Sequence, residues 1–416
     1  MNFLLVYSGP GILGGIETLI LRMSRWLAKS GHHVTLLVES SEQWSDNLPP
    51  EVRCIALGER FPELYYYFHA RRLWKTLAIP RPDVIKSFDI GSSWIACQLA
   101  ALTGGNAKVI AGIYNPYVFS WYYDIKSAAF WEANKVYVGN FVENIPARNR
   151  IFCSAEQIEE FNQVHHQSGH LWPIPIATSE FEPATRCAKW GKIVSVGRLS
   201  PMKEYNLYMV DVVRDLVERG HNVTWSVYGT GEYEGPMREA IRRHGLEQVI
   251  SMEGMLPYKR FRQALEDAYV FVGMGTTILE ASLFKVPNIT AVAYDREGLT
   301  WGPVYRIPQG SLGPTSDVPP RLKVTDEIER ILRLQPSEYA AEQELVYRHV
   351  QVHAMDASMQ RFLELAQNAV AIKSRKSIYL ANYPFWFIRR LVRRRQESSP
   401  VQHPPGLLVP GTLRKS

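Results

Sequence analysis

The stretch GMGTTILEASLFKVPN, residues 273–288, follows the apolar run AYVFV and carries one carboxylate, Glu280, behind a Gly/Thr loop. The pattern predicts a strand, a glycine loop and a helix start. Two chemistries are open to Glu280. TILE, residues 277–280, fits a capping box in which Glu280 reaches back to the Thr277 N–H. Alternatively, Glu280 takes hydroxyls of a ligand whose phosphates rest on backbone N–H groups of the helix start, around Gly273, Gly275, Thr276 and Thr277. A second constellation is cationic. VGRLSPMKEYN, residues 196–206, places Arg198 just past a strand end and Lys203 five residues on. Such a pair can hold a diphosphate, Arg as a directional fork and Lys as a mobile point charge. The competing reading is two solvated surface charges. A third, YGTGEYEGPM at 228–237, is another strand–loop–helix junction where Gly229 and Gly231 permit a tight turn. A fourth, SGPGILGGIE at 8–17, contains Gly9-x-Gly11-x-x-Gly14 directly after a strand, and Glu39 ends the next strand. That matches the dinucleotide fingerprint and keeps a nicotinamide-dependent enzyme open. Gly14 and Gly15 leave room for a backbone to approach an anion, while Glu17 complements the helix dipole.

These groups need a scaffold, and the chain supplies one twice. NFLLVY reads as a buried strand, GGIETLILRMSRWLAKSG as a helix with one apolar side ending at Gly31, and HVTLLVE as the next strand. PDVIKSF, AKVIAGIY and RIFCS are further apolar runs between helical or loop segments. WPIPIATSEFEPATRCAKWG, residues 172–191, is rich in Pro and small polar residues and reads as a linker. The alternation then restarts: KIVSVG, NVTWSVYG, VISMEG, YVFVG and NITAV as strands, with helical segments between them. Alternating β and α implies parallel sheets covered by helices. The three motif loops of the second half leave the same edge of one sheet and can converge. The expected fold is therefore α/β, with two Rossmann-like domains facing across a cleft.

Composition narrows the function. The chain has 416 residues, 46% hydrophobic and 21% charged, enough for two folded domains. The formal net charge of +6 is uneven. Residues 372–416 hold ten Lys and Arg against one acid, a net +9, and leave −3 for the rest. The basicity belongs to the tail, which argues against a nucleic-acid-binding surface. The four cysteines are isolated, so neither a zinc site nor a disulfide framework is indicated, and a cytoplasmic setting is expected. The N-terminus lacks a basic region before its short apolar run, so no signal peptide is expected. No Asp-x-Asp and no HExxH occurs, so no metal is expected to hold a diphosphate. Cations and helix N-termini must take that charge.

Taken in order, VGRLSPMK, YGTGE and LEASLFKVPN resemble the family-4 retaining glycosyltransferases of the GT-B fold (glycosyl transferases group 1). GGIE, PDVIKSF and IFCSAEQ add weaker likeness, and the resemblance covers roughly residues 1–371. It implies that Arg198 and Lys203 contact the donor diphosphate and stabilise its departure, and that Glu280 binds the nucleotide ribose. It further implies that Gly14 and Gly15 lie near the phosphates and acceptor, with Tyr114 or Asn115 on the acceptor side. The implied donor-binding set is Glu280, Gly273, Gly275, Thr276, Thr277, Gly229, Gly231, Gly14 and Gly15. The implied reaction moves a hexosyl unit from a nucleotide-diphosphate sugar to a glycan or lipid-linked acceptor with retention, without a further cofactor.

The chain departs from the family pattern at four places. Val272 stands where the first Glu of E-x7-E is usual, and VGMG replaces EGFG. Tyr114 or Asn115 takes the place of a His, and Lys285-Val286-Pro287 replaces GxP. A nucleotide-sugar-binding protein with little catalysis is the second hypothesis. The expected domains are 1–175 on the acceptor side, 190–355 for the nucleotide sugar, C-terminal helices at 356–396 and a disordered tail at 397–416. In that tail YPFWFIRRLVRRRQ, residues 383–396, forms a basic amphipathic helix. Phe385 to Arg395 would lie on an anionic membrane, making the protein peripheral.

Overall fold

The computed structural model describes residues 1–7, 15–41, 44, 47–56, 75, 78–103, 106–114, 138–139, 141–176, 187–257, 260–307 and 322–372. The chain divides into two compact units. The first comprises residues 1–175 and the C-terminal part from Asp356, and the second Ile176–Met355. Gly14, Asn115 and the basic segment 383–396 lie outside the described residues.

The first unit is built on a parallel sheet. Its strands are β1 (Asn2–Val6), β2 (His33–Val38), β3 (Arg53–Ala56), β4 (Val84–Ser87), β5 (Lys108–Ile113), β6 (Arg150–Phe152) and β7 (His170–Leu171), in the order β3-β2-β1-β4-β5-β6-β7. Buried strands of a parallel sheet read as unbroken apolar runs, which is why NFLLVY and AKVIAGIY stood out. The helix α1 (Gly15–Lys29) buries Leu19, Ile20, Met23 and Leu27 along one side. The helix α2 (Ile90–Leu102) is buried on nearly every side, from Ile90 through Ala100, and packs on β4 and β5. Its start is fixed by Asp89, which accepts from Ser92 N at 2.7 Å while Ser92 Oγ accepts from Asp89 N, a reciprocal cap. The helix α3 (Ala155–His165) follows β6 with Ser154 as its cap.

The second unit repeats the scheme with β8 (Lys192–Val196), α4 (Tyr205–Glu218), β9 (Thr224–Tyr228), α5 (Glu234–Arg243), β10 (Ile250–Gly254), α6 (Phe261–Leu265), β11 (Val270–Gly273), α7 (Thr276–Leu283) and β12 (Asn288–Thr290). Its parallel order is β10-β9-β8-β11-β12. The chain runs outward from β8 to β10 on one side, then returns to lay β11 against β8 on the other. That reversal makes the carboxyl ends of β8 and β11 the topological switch point, where open α/β sheets bind ligands. Two helices, α8 (Val324–Leu332) and α9 (Pro336–His349), complete the unit.

The C-terminal α10 (Met355–Asn368) belongs with the first unit from Asp356 on. Trp26 Nε1 donates to Asp356 at 2.6 Å, Lys108 Nζ to Gln367 O at 2.5 Å, and Val370 N to Asn149 Oδ1 at 3.1 Å. The segment read as a linker also begins inside this unit. Trp172 is fully buried, donates to Ser358 O at 2.7 Å and packs its ring 5.5 Å from Phe362. Among the described residues no helix is long and apolar enough to cross a membrane, and no three His, Cys, Asp or Glu side chains group to hold a metal.

Candidate functional site

The switch point of the second unit gathers most of the residues singled out in the sequence. Beyond Val196 the chain stays beside the loop that follows β9. Gly197 N donates to Tyr228 O at 2.9 Å, and Leu199 N to Thr230 O at 3.0 Å. Tyr233 N in turn donates to Leu199 O at 3.2 Å. This seam needs glycine. A Cβ on Gly229 would overlap the Gly197 carbonyl oxygen, and one on Gly231 would overlap that of Leu199. Gly229 and Gly231 therefore bring backbone against backbone. They shape the loop that carries Arg198.

Arg198 is exposed on that loop, and Lys203 closes the short 3-10 turn Pro201–Lys203. The Lys203 ammonium lies over Gly197, where any side chain at 197 would collide with it. Burial, and next the Arg198 charge, bring its pKa down to about 8. Among the described residues no carboxylate forms an ion pair with either cation. The neighbouring acid is committed elsewhere: Glu204 pairs with Arg296 at 2.8 Å. Two like charges without a counter-charge among the described residues, at a sheet's switch point, make a local positive potential that suits an anion.

The third wall is the start of α7. Only Met274 and Gly275 separate β11 from the helix. Gly275 takes φ 75° and ψ −149°, a conformation suited to glycine, and among the described residues no side chain caps the helix. Its first N–H groups carry the positive end of the helix dipole. The Thr277 hydroxyl donates to Val196 O at 3.2 Å and to Met274 O at 3.2 Å, so the helix start is tied to the end of β8, next to Gly197 and Arg198. Gly273 is buried, and a Cβ there would stand 2.6 Å from the Phe271 ring.

Glu280 is 2% exposed on α7. It stands one turn beyond Thr276 and Thr277, at the i+3 and i+4 spacing that shares a helix face. The capping box fails: the helix begins at Thr276 with Gly275 as cap, so Thr277 is inside the first turn and Glu280 is too far along to close a box on it. Val272, which replaces the family's first Glu, lies in β11, fully buried and in register with Ile289.

In the first unit, Gly15 opens α1. Glu17 does more than face the helix dipole: it accepts from the Tyr7 hydroxyl at 2.7 Å in a buried pair. Tyr114, just past β5, is 8% exposed, stacks on Phe88 with centroids 6.0 Å apart and meets the edge of Trp172 at 6.3 Å. Burial pushes its phenol well above the usual range. Sequence reasoning missed Lys86, hidden in the apolar run PDVIKSF. It is fully buried, with its ammonium 4.5 Å from the Phe88 ring centroid, and burial lowers its pKa well below the usual lysine value. A lysine inside a strand that should read apolar on both faces was the available signal.

Known proteins share this architecture. The family model for Glycosyltransferase Family 4 matches residues 13–178, and that for Glycosyl transferases group 1 matches residues 183–298. The chain belongs to these glycosyltransferases. Its fold is GT-B. Over 108 residues it is 29% identical to WcaL of Escherichia coli strain K12, a protein named as a colanic acid biosynthesis glycosyltransferase. That match spans 26% of this chain and 23% of the relative's length. Among solved structures, sucrose-phosphate synthase of Thermosynechococcus elongatus aligns with a TM-score of 0.64 at 16% identity, over 88% of this chain and 98% of the other. Alr3699/HepE of Anabaena, in complex with UDP and glucose, aligns with a TM-score of 0.60 at 14% identity, over 88% and 99%. The first family match includes Gly14 of the glycine loop that had kept an oxidoreductase open.

Proposed function

We propose that this glycosyltransferase moves a hexosyl unit from a nucleotide-diphosphate sugar to a glycan or lipid-linked acceptor, with retention, in polysaccharide or glycolipid biosynthesis. The observation that carries the reading is the pair Arg198 and Lys203, without a counter-charge among the described residues, beside the start of α7, which no described side chain caps. In this reading both cations and the helix N-terminus hold the diphosphate, and Glu280 takes the ribose hydroxyls. Charge grows on the diphosphate as the sugar leaves, so donors fixed beforehand lower the barrier more than they strengthen ground-state binding. The Anabaena relative with UDP and glucose and the colanic acid name of WcaL support the substrate class. Retention follows the family resemblance.

The test is turnover. The purified chain is assayed for sugar transfer and for nucleotide release with UDP- and GDP-hexoses, and the product anomer is read by NMR. Lys203→Met should lower kcat by about 100- to 1,000-fold, the range for removing one oriented donor, with no loss of folded stability. Equal rates in wild type and variant would remove the central role of Lys203. A second reading has its own observation: Val272 is sealed in β11. A chain that binds nucleotide sugars tightly yet transfers none of them would establish a binding protein instead. The amphipathic pattern of residues 385–395 adds contact with anionic membranes to the proposal. Sedimentation with phosphatidylglycerol vesicles should recover the full chain and not one ending at residue 380.

A further inference from the structure

The two cations at the switch point of the second unit have an acid for a neighbour. Glu204 follows Lys203 directly, and its carboxylate is paired with Arg296 at 2.8 Å, the acid 12% and the arginine 46% exposed. The Tyr233 hydroxyl is also hydrogen-bonded to it, and burial together with the Glu204 charge pushes that phenol up to about 12. Tyr233 N in turn donates to Leu199 O at 3.2 Å, next to Arg198. Glu204 therefore adjoins Lys203 along the chain and is tied through Tyr233 to the loop that carries Arg198. Arg296 comes from the loop after β12, and that loop is latched to the Lys203 segment on both sides. Tyr294 N donates to Met202 O at 3.1 Å, with Tyr294 in the left-handed region at φ 57°. Gly298, at φ 66°, lies so close to Tyr208 that a Cβ would overlap its ring. Between them Asp295, 8% exposed, accepts from Glu297 N at 3.3 Å and from Leu299 N at 3.0 Å, which fixes the turn from within. A tyrosine at positive φ is strained and persists only where its neighbours over-determine it. The turn so built delivers one guanidinium to one carboxylate.

Charge explains why that delivery matters. Adjacent Cα atoms lie about 3.8 Å apart, and a lysine and a glutamate side chain are long enough to meet across that gap. Yet burial and the Arg198 charge hold Lys203 down near 8, the opposite of what a facing carboxylate does. The planar fork of an arginine matches a carboxylate better than an ammonium does, so Arg296 keeps the acid turned to itself. A Glu204 released from Arg296 would have Lys203 and Arg198 as opposite charges to turn to, and would cancel the positive potential that a diphosphate needs. We infer that Arg296 is a positioning residue for donor binding: it holds the Glu204 carboxylate away from Lys203 and Arg198, so that both cations meet the diphosphate with their full charge. The inference rests on the reading of Arg198 and Lys203 as the diphosphate-binding pair, and adds the residue that keeps them unpaired.

The experiment uses the full chain as wild type, Arg296→Met, Glu204→Gln and the double variant, with Arg296→Lys as the conservative control. Thermal melting checks that each is folded, and Arg296→Gln, which keeps a donor for the carboxylate, repeats the comparison should the methionine form not fold. UDP and GDP are titrated by calorimetry at pH 7. The Lys203 amine is followed without nucleotide by NMR of carbon-13-labelled lysine, its signal assigned by its loss in Lys203→Arg. Arg296→Met should weaken the nucleotide that wild type binds by about fivefold or more, and Lys203 should then titrate about 1–3 pH units higher than in wild type. Arg296→Lys should restore most of both. Glu204→Gln should bind the nucleotide at least as tightly as wild type, and Arg296→Met should have no effect in that background. An unchanged Lys203 titration in Arg296→Met would overturn the inference, whether or not a nucleotide binds. Weakening by Arg296→Met that persists beside Glu204→Gln would also overturn it, because Arg296 would then touch the nucleotide directly. So would weakening by Glu204→Gln alone, which marks the pair as a mere strut. A wild type that binds neither UDP nor GDP would instead strike the nucleotide-sugar reading, and the Lys203 titration would still decide the role of Arg296.

Discussion

If Lys203 holds the donor diphosphate as proposed, nucleotide binding should depend on pH in a way that can be worked out in advance. Its pKa of about 8 has two causes, burial first and the Arg198 charge second. A bound diphosphate supplies the missing counter-charge and raises that pKa again. Below pH 8 the amine is already charged and affinity is flat. Above pH 8 binding must take up a proton, so the dissociation constant rises toward tenfold per pH unit until the bound-state pKa is reached. Between pH 7 and pH 9 the expected rise is about tenfold, or about 1.4 kcal/mol, if the complex stays protonated. Isothermal titration of UDP and GDP at the two pH values measures it. Lys203→Arg, which keeps its charge across this range, corrects for titration of the nucleobase and should lack the extra tenfold. The free protein should show the opposite sign. Unfolded lysine holds its proton to about pH 10.4, whereas folded Lys203 releases it near pH 8. The unfolded state therefore binds more protons between those values, and the stability cost of the charge, complete below pH 8, is relieved as pH rises toward 10. Lys203→Met should accordingly melt higher than wild type at pH 7 while binding nucleotide more weakly. A wild-type affinity as flat as that of Lys203→Arg would refute the reasoning.

Three further outcomes follow from named contacts. Glu280→Gln should weaken UDP or GDP binding by roughly 10- to 150-fold, the value of a charge-assisted hydrogen bond, and should erase the preference for a ribose over a 2′,3′-dideoxyribose, as read by competition titration. Gly231→Ala forces a Cβ into the Leu199 carbonyl at φ 151°, so urea unfolding should show a loss of more than about 1 kcal/mol, together with weaker nucleotide binding from the displaced Arg198 loop. Trp172→Ala removes a fully buried ring and its bond to Ser358 O, and should cost about 3–5 kcal/mol of stability by chemical denaturation.

The scaffold was legible because parallel strands covered on both faces must be largely apolar, and KIVSV, TWSVY and VFVG each run up to a glycine. The loops were legible as loops, since the glycines at 229, 231 and 275 answer to close approach or positive φ. What each glycine serves was not. Gly229 and Gly231 meet carbonyls from a loop some thirty residues earlier, a contact that no local pattern records. The TILE box misled because its match depends on where the helix starts, and a link of only two residues moved that start to Thr276. Trp172 read as linker because prolines surround it, yet its partners Ser358 and Phe362 come from the far end of the chain. Lys86 passed as an ordinary charge within a strand, because burial of a single side chain depends on tertiary neighbours.

The proposed function requires that Arg198, Lys203, the first turn of α7 and Glu280 grip one nucleoside diphosphate. A crystal structure of the chain soaked with UDP, and a second with GDP, tests it most directly. At least one of them should show phosphate oxygens within hydrogen-bonding distance of both Arg198 and Lys203, facing the Thr276 and Thr277 N–H groups, and ribose hydroxyls on the Glu280 carboxylate. A nucleotide bound elsewhere in both crystals, or phosphates held while Glu280 contacts no part of the same molecule, would contradict it.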